Sequence, residues 1–185
     1  MRVIGGIYRS RRLRTVEGMG VRPTSDRLRE TLFNVLGAQV GDRRFLDLCA
    51  GSGAVGIEAL SRGAQRAVFI EQSRRACSVI QANMDALGLN AQARLVCRDV
   101  HAALKQLASE NESFDLLFFD PPYASGLYST VMNELGESAL LSADAIVVVE
   151  HRAKLTLEGD YGRLSRFREL KQGESALAFY RAVCD

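Results

Sequence analysis

From residue 43 onward, short apolar runs alternate with longer stretches whose hydrophobic residues recur at helical spacing. The apolar runs predict strands and the amphipathic stretches predict helices. The predicted elements are strand 43–50, helix 54–63, strand 67–71, helix 73–88, strand 93–99, helix 100–109, strand 114–120, helix 127–136 and strand 145–151. Repeated strand–helix units imply right-handed crossovers and a parallel sheet, so the pattern predicts a doubly wound, Rossmann-like α/β domain.

The two ends of the chain depart from this alternation. Residues 163–183 predict two strands around a polar turn at 172–175, a closing hairpin that makes a seven-stranded, mostly parallel sheet. Residues 1–22 contain four glycines and short β-like pieces, which predict a small β-hairpin arm. Residues 23–26 then signal a helix start. We therefore divide the chain into an arm, residues 1–22, and one α/β domain, residues 23–185.

Length and composition fit this picture of one globular domain. The chain has 185 residues, of which 47% are hydrophobic and 25% are charged, close to the average for globular proteins. It contains neither a long apolar run typical of a membrane helix nor an apolar stretch typical of a secretory signal. Its cysteines lie far apart, without metal-ligand spacing. We therefore expect a cytoplasmic protein with reduced thiols, no metal site and no membrane contact, and a monomer by default. The four cysteines are Cys49, Cys77, Cys97 and Cys184.

Charge is distributed unevenly along the chain. The net charge is only +2, yet residues 1–44 hold ten arginines against four acidic residues, and the remainder is net negative. An arginine-rich front end favours a polyanionic partner, because the planar guanidinium binds phosphate oxygens and stacks on bases. The alternative is a solvated basic surface that binds nothing.

A glycine-rich loop follows the first predicted strand. Gly51, Gly53 and Gly56 match the Gly-x-Gly-x-x-Gly pattern of nucleoside-cofactor sites, and Glu71 ends the next strand at the position where an acid binds ribose hydroxyls. A structural glycine turn is the alternative. Asp47 lies four residues before the loop, where a carboxylate is unfavourable for a pyrophosphate but suits an ammonium group. This favours S-adenosylmethionine over a nicotinamide dinucleotide. Asp99 ends the third strand, where it binds the adenine amine, caps the following helix, or does both.

A second motif, Asp120-Pro121-Pro122-Tyr123, follows the buried strand 114–120. The two prolines stiffen the turn and remove two backbone donors. The Asp120 carboxylate and the Pro121 carbonyl are then acceptors for an exocyclic amine, and the Tyr123 ring is a flat surface on which a base can stack. A plain turn at a strand end is the alternative. The motif favours methyl transfer to the amine of a planar base, mainly by positioning, with no metal.

The loop motif, the two acids and the Asp-Pro-Pro-Tyr motif together resemble the class I S-adenosylmethionine-dependent amino-methyltransferases. The segments 2–6 and 22–34 extend this resemblance to the RsmD family, the 16S rRNA (guanine(966)-N2)-methyltransferases. The resemblance covers essentially the whole chain. Cys49 stands where many relatives have phenylalanine, and we interpret it as a packing residue rather than a nucleophile. The resemblance implies methylation of one guanine in small-subunit RNA, on an assembled or assembling particle.

The resemblance also implies roles for individual residues. The donor-site residues are Asp47, Cys49, Gly51, Ser52, Gly53, Glu71, Gln72, Asp99, Val100 and Asp120. The catalytic residues are Asp120, Pro121 and Tyr123. The charge of the arm and of the helix after it, rather than the resemblance, selects the candidates for RNA contact: Arg2, Arg9, Arg11, Arg12, Arg14, Arg22, Thr24 and Arg27, with Arg29 as a further helix residue near the entrance. For Arg27 and Arg29 a surface helix charge is the alternative. The target base must leave any stack to reach the site.

Two alternatives remain open at this point. A DNA amino-methyltransferase shares the Asp-Pro-Pro-Tyr chemistry, although it usually needs an added recognition domain for which this chain has no room. A non-catalytic ribosome-assembly factor with a vestigial donor site is the second alternative. The intact acids argue against it.

Overall fold

Along the residues that the computed structural model describes, 1–16, 25–122 and 126–183, five helices and eight strands follow one another in nearly the predicted order. They are α1 (Asp26–Leu36), β1 (Arg44–Leu48), α2 (Ala54–Ser61), β2 (Arg66–Glu71), α3 (Arg74–Leu87), β3 (Ala93–Cys97), α4 (Val100–Ser109), β4 (Phe114–Phe119), α5 (Leu127–Glu137), β5 (Leu141–Arg152), β6 (Asp160–Tyr161), β7 (Leu164–Gln172) and β8 (Ser175–Ala182). A short 3₁₀ helix, Gly37–Val40, follows α1.

In the described part of the chain, the strands form one sheet in the order β3-β2-β1-β4-β5-β8-β7-β6. The first five strands pair in parallel, and the closing hairpin adds β8 antiparallel to β5. The doubly wound architecture and the hairpin are therefore confirmed. The sheet has one strand more than the predicted seven, because the two residues of β6 pair with β7. The direction of winding reverses between β1 and β4, and in such sheets ligands bind at the carboxyl ends beside that point.

Helices cover both faces of the sheet. The apolar sides of α4 and α5 pack on one face, and those of α1, α2 and α3 pack on the other. Short polar side chains fix where three helices begin: Ser25 accepts from the Leu28 amide, Ser73 from the Ala76 amide, and Asp99 from two amides of α4. The starts of α3 and α4 follow the carboxyl ends of β2 and β3, so the Ser73 and Asp99 caps also fix the rim of the cleft. Among the described residues, no helix is long and apolar enough to cross a membrane.

The first sixteen residues pack against the domain. One antiparallel bridge, between Arg2 and Arg12, closes them into a hairpin-like turn. The turn contacts the end of α2, where the Ile7 amide donates to the Ser61 carbonyl at 2.8 Å. Gly6 has φ +76°, and a Cβ there would lie 1.7 Å from that same carbonyl oxygen. Only glycine therefore permits this approach of the arm to α2.

Two cysteines correct the expectation of reduced thiols. Cys77 and Cys97 form a disulfide, with their Cα atoms 6.0 Å apart. The parallel register sets Cys97 beside Glu71, and α3 begins just after Glu71, so it brings Cys77 back over the strand end. The pairing arises from the fold, since twenty residues separate the two cysteines in the sequence. A search of the sequence for closely spaced cysteines therefore does not find this disulfide.

Candidate active site

The glycine loop turns sharply between β1 and α2. Cys49, Gly51 and Gly53 have φ values of +61°, +58° and +76°, so alternate residues adopt the left-handed conformation. A Cβ on Gly51 would meet no atom within 4 Å, which leaves the space above the loop open to a ligand. A Cβ on Gly56 would lie 2.4 Å from the Phe69 ring, so this glycine permits close packing of α2 on β2.

Asp47 is a buried carboxyl group beneath the loop. It lies in β1, is 2% exposed, and its Oδ2 accepts from the Gly56 amide at 2.8 Å. The pKa of Asp47 is raised to about 8, mainly by burial; the Gly56 hydrogen bond opposes this shift and the negative charge of Glu71 adds to it. Such a group is poised to gain a cationic partner, because an adjacent ammonium favours its charged form.

Glu71 connects the glycine loop to the next helix. Its Oε2 accepts from the Gly51 amide at 2.9 Å and its Oε1 accepts from the Ser73 amide at 2.8 Å. These bonds hold the carboxylate at the carboxyl end of β2, with its side chain at the cleft. The sequence predicted the position of Glu71, but not its role in bracing the loop.

Asp99 and Asp120 complete the set of acids. Asp99 Oδ1 accepts from the His101 and Ala102 amides, so the capping alternative is confirmed, and Asp99 also borders the cleft. Asp120 directly follows β4, and its amide lies 3.4 Å from the Leu48 carbonyl at the end of β1. The two acids therefore lie at the ends of strands on opposite sides of the point where the winding reverses.

Cys49 lies among these four acids. Burial is the largest effect on its thiol, and the charges of Glu71, Asp120, Asp47 and Asp99 act in the same direction, so the pKa of Cys49 is raised far above its ordinary value. The thiol stays protonated and unreactive at neutral pH. This supports the interpretation of Cys49 as a packing residue, and it shows that the four acids converge.

One cavity at the carboxyl ends of the strands brings most of the predicted donor-site residues together. Nine of the ten line it, and Gly53 lies behind the loop as the residue before α2. The nine are Asp47, Cys49, Gly51, Ser52, Glu71, Gln72, Asp99, Val100 and Asp120. Apolar side chains such as Ile70, Phe118 and Leu127 form the rest of the wall.

The residues present fit S-adenosylmethionine. The buried Asp47 suits the ammonium group, Glu71 and Asp99 line the same cavity with acceptors that suit hydroxyl and amine donors, and the space above Gly51 is open. In the described part of the chain, no group of three or more His, Cys, Asp or Glu side chains is arranged to hold a metal ion.

The structure describes most of the predicted catalytic and RNA-contact residues, but not all of them. Asp120 and Pro122 line the cavity on either side of the buried Pro121. Tyr123, Arg22 and Thr24 lie outside the described residues. The remaining RNA-contact candidates are all exposed: Arg2, Arg9, Arg11, Arg12, Arg14 and Arg27.

Arg29 corrects the prediction of a helix charge near the entrance. It is fully buried, donates to Asp26 and to the Arg2 carbonyl, and lies 3.7 Å from Glu58. It therefore holds α1 and the arm together and is not available to RNA.

His151, at the end of β5, is also buried and lies 3.0 Å from the Arg152 carbonyl. Burial lowers the pKa of His151, which agrees with a structural role.

Residues of the arm also lie in the cavity wall, which the sequence did not predict. Met1, Thr15 and Val16 line the same cavity as the donor-site acids. Their residue types carry no signal for a cofactor site. The contact depends on how the arm docks on α2 and α3, which the periodicity of the arm does not encode.

Comparison with known proteins agrees with this geometry. The family described as "Conserved hypothetical protein 95" matches residues 1–181. The Ribosomal RNA small subunit methyltransferase D of Escherichia coli K12 is 36% identical over 181 residues, which are 98% of this chain and 89% of that protein. This chain belongs to the RsmD family. The predicted resemblance is thereby confirmed.

Solved structures extend the comparison of this RsmD family member to three dimensions. The structure of the Escherichia coli protein yhhF is 36% identical with a TM-score of 0.87, and the match covers 100% of this chain and 99% of that one. An RNA methyltransferase from Salinibacter ruber, solved with S-adenosyl-L-homocysteine, has a TM-score of 0.68 at 17% identity and covers 89% of this chain and 95% of that one. The second likeness shows the class I methyltransferase fold alone.

Proposed function

We propose that this protein transfers a methyl group from S-adenosylmethionine to the exocyclic N2 of guanine 966 in 16S rRNA. The observation that supports it best is that one cavity is lined both by acids suited to the donor and by an acid suited to the target amine. Asp47 and Glu71 border the part suited to the donor, and Asp120 borders the same space from the other side of the winding reversal. The name of the Escherichia coli relative supports the substrate class. The substrate is a small ribosomal subunit or its assembly intermediate, and the site of action is the cytoplasm.

In this proposal the chain acts mainly by holding and orienting. S-adenosylmethionine supplies an electrophilic methyl group on a sulfonium. Asp47 binds the ammonium end, Glu71 binds the ribose hydroxyls, and Asp99 binds the adenine amine. The glycine loop fixes the distance of the donor from β4. Holding both reactants in one geometry lowers the barrier without any metal.

Asp120 and Pro121 orient the target amine. The N2 nitrogen of guanine is a poor nucleophile because its lone pair is delocalised into the ring. The Asp120 carboxylate and the Pro121 carbonyl accept hydrogen bonds from its two N–H groups and favour a pyramidal nitrogen whose lone pair points at the methyl group. When the N–C bond forms, the S–C bond breaks to leave S-adenosylhomocysteine, and the amine proton passes to the Asp120 carboxylate or to water. Tyr123 stacks on the base after the base has left its neighbours.

The arm provides the grip on RNA. Its exposed arginines lie on the segment that also lines the cavity, so a phosphate backbone held there lies next to the donor. Reversing the charge of three arm arginines should weaken RNA binding and reduce the slope of log K against log salt by about 0.7 for each phosphate that the arm no longer neutralises. The three are Arg9, Arg11 and Arg12. Reversal at the exposed Lys105 and Arg168 is the control. An unchanged slope in the arm variant would show that the arm is a solvated surface.

Labelled donor identifies the substrate class. The protein is incubated with small ribosomal subunits, protein-free 16S rRNA and duplex DNA, and the label is followed into each. Label in a guanine of the rRNA supports the proposal. Label in DNA supports the DNA methyltransferase alternative, and donor binding without transfer to any substrate supports the assembly factor.

An Asp120→Ala variant separates the two chemistries of the cavity. We expect loss of transfer while the affinity for S-adenosylhomocysteine stays within about threefold, since the main role assigned to Asp120 is to hold the target amine, although it also borders the donor site. Asp144→Ala is the matched control, because Asp144 is an exposed acid on β5. If donor affinity fell as far as activity, the assignment of Asp120 to the target would be wrong.

A further inference from the structure

Two sets of hydrogen bonds, among others, fix the arm to the domain, and the second set adjoins the donor site. At the first, the Ile4 and Gly5 amides donate to the buried Glu58 of α2 at 2.8 and 2.7 Å. At the second, Arg14 contacts Asn83 of α3. Met1, Thr15 and Val16 then line the cavity. The arm is therefore a wall of the cavity as well as a basic surface.

Asn83 makes this second connection with both ends of its amide. It is 2% exposed. Its Oδ1 accepts from the Arg14 amide at 2.8 Å, and its Nδ2 donates to the Arg14 carbonyl at 3.1 Å. The side chain thus pairs with Arg14 as a neighbouring strand would. The helical pattern of α3 suggests a surface or capping position for Asn83, and the burial corrects this.

The same Nδ2 also donates to the Ser52 carbonyl at 3.0 Å. Ser52 belongs to the glycine loop and lines the cavity, and its hydroxyl lies 3.6 Å from the Met1 sulfur. One buried amide therefore bonds the donor loop on one side and the arm on the other. Because an unpaired amide is costly when buried, movement of either segment disturbs the bonds of the other.

We propose that Asn83 is a positioning residue that couples donor binding to RNA binding. This inference rests on the proposed function. RNA phosphates immobilise the arm and the donor immobilises the glycine loop. Because Asn83 bonds both segments, the first ligand also restricts the segment that the second ligand must order. The second ligand therefore loses less conformational entropy when it binds. The two ligands bind with positive cooperativity, and the coupling is the same whichever binds first.

The experiment measures the affinity for S-adenosylhomocysteine with and without saturating RNA, since this reaction product has no methyl group to transfer and permits no turnover. For the wild-type protein we expect RNA to tighten it about tenfold, within the usual range for coupled sites. For Asn83→Ala we expect each separate affinity to stay within about threefold of wild type while the RNA effect falls below about twofold. Asn83→Asp should also lose the coupling, because it keeps the acceptor for the Arg14 amide and loses the donor to Ser52. Gln81→Ala, an exposed change on the same helix, is the control and should keep the coupling.

A second measurement needs no variant. Because the Arg14 amide donates to Asn83, S-adenosylhomocysteine should slow its hydrogen exchange, and RNA should slow exchange in the glycine loop. An Asn83→Ala protein that kept the tenfold RNA effect, or a wild-type protein with none, would overturn the proposal. Methyl transfer to rRNA by the wild-type protein is scored separately, so absence of transfer is distinguished as a failure of the proposed function.

Discussion

The buried Asp47 predicts that donor binding depends on pH. With the pKa of Asp47 raised to about 8, about nine-tenths of its carboxyl groups are protonated at pH 7 and nearly all are at pH 6. The ammonium group of the donor binds the carboxylate, so the bound state favours the charged form and binding releases a proton. The fraction of free protein in which Asp47 is ionised, the form that binds the donor, rises nearly tenfold between these pH values. The amine of the donor, with a pKa of about 7.8, loses part of its proton over the same range, which slightly reduces this gain. We therefore expect donor affinity to be about eightfold tighter at pH 7 than at pH 6, about 1.2 kcal/mol.

Titration calorimetry of S-adenosylmethionine at the two pH values tests this linkage. Repeating each titration in buffers of different ionisation enthalpy counts the protons released directly. Asp47→Asn should bind the donor more weakly at pH 7 and should lose the pH dependence, because an amide has no proton to release. Asp144→Asn, an exposed acid, is the control and should keep the wild-type slope. A wild-type affinity that is constant from pH 6 to pH 7, or an equal slope in Asp47→Asn, would show that Asp47 does not release a proton on donor binding.

Three further predictions concern the stability of the site. A carboxyl group whose pKa is higher in the folded chain favours folding below its unfolded pKa and loses that contribution as the pH rises toward 8. Asp47→Asn should therefore raise the stability of the donor-free protein at pH 8, by on the order of a few kcal/mol in urea unfolding, and a decrease would contradict the burial cost. Gly56→Ala should lower stability by about 1–3 kcal/mol through overlap with the ring of Phe69, whereas Gly159→Ala, with no atom near the added carbon, should not. Reductant should lower the wild-type unfolding free energy by about 3 kcal/mol and leave Cys77→Ser unchanged, since only the former contains the disulfide; equal responses would argue against it.

The order of strands and helices was predictable because each element has its own local signal. Buried apolar runs marked the strands, and Ser25 marked the start of α1 with a polar cap that the structure retains. The four acids of the cavity were predictable for a related reason. Parallel strands end at one edge, so an acid at the end of each strand is brought to the same cleft.

The contacts of the arm were not predictable in this way. Arg29 is an arginine in a basic segment, and nothing in the local sequence distinguishes it from its exposed neighbour Arg27. Its burial depends on Glu58, which lies 29 residues further along the chain. Asn83 likewise acquires its role only when α3 packs beside the glycine loop. The disulfide has the same origin, because it joins the first turn of α3 to the end of β3, which only the fold brings together.

Mapping the transferred methyl group in rRNA tests the proposed methylation of guanine N2. Small ribosomal subunits from cells that lack their own RsmD-family enzyme are incubated with this protein and S-adenosylmethionine, and the rRNA is digested to fragments for mass spectrometry. We expect one N2-methylguanosine, at guanine 966 of 16S rRNA, that is absent after treatment with the Asp120→Ala variant. Methylation of another base or another atom, or of no rRNA at all, would contradict this expectation.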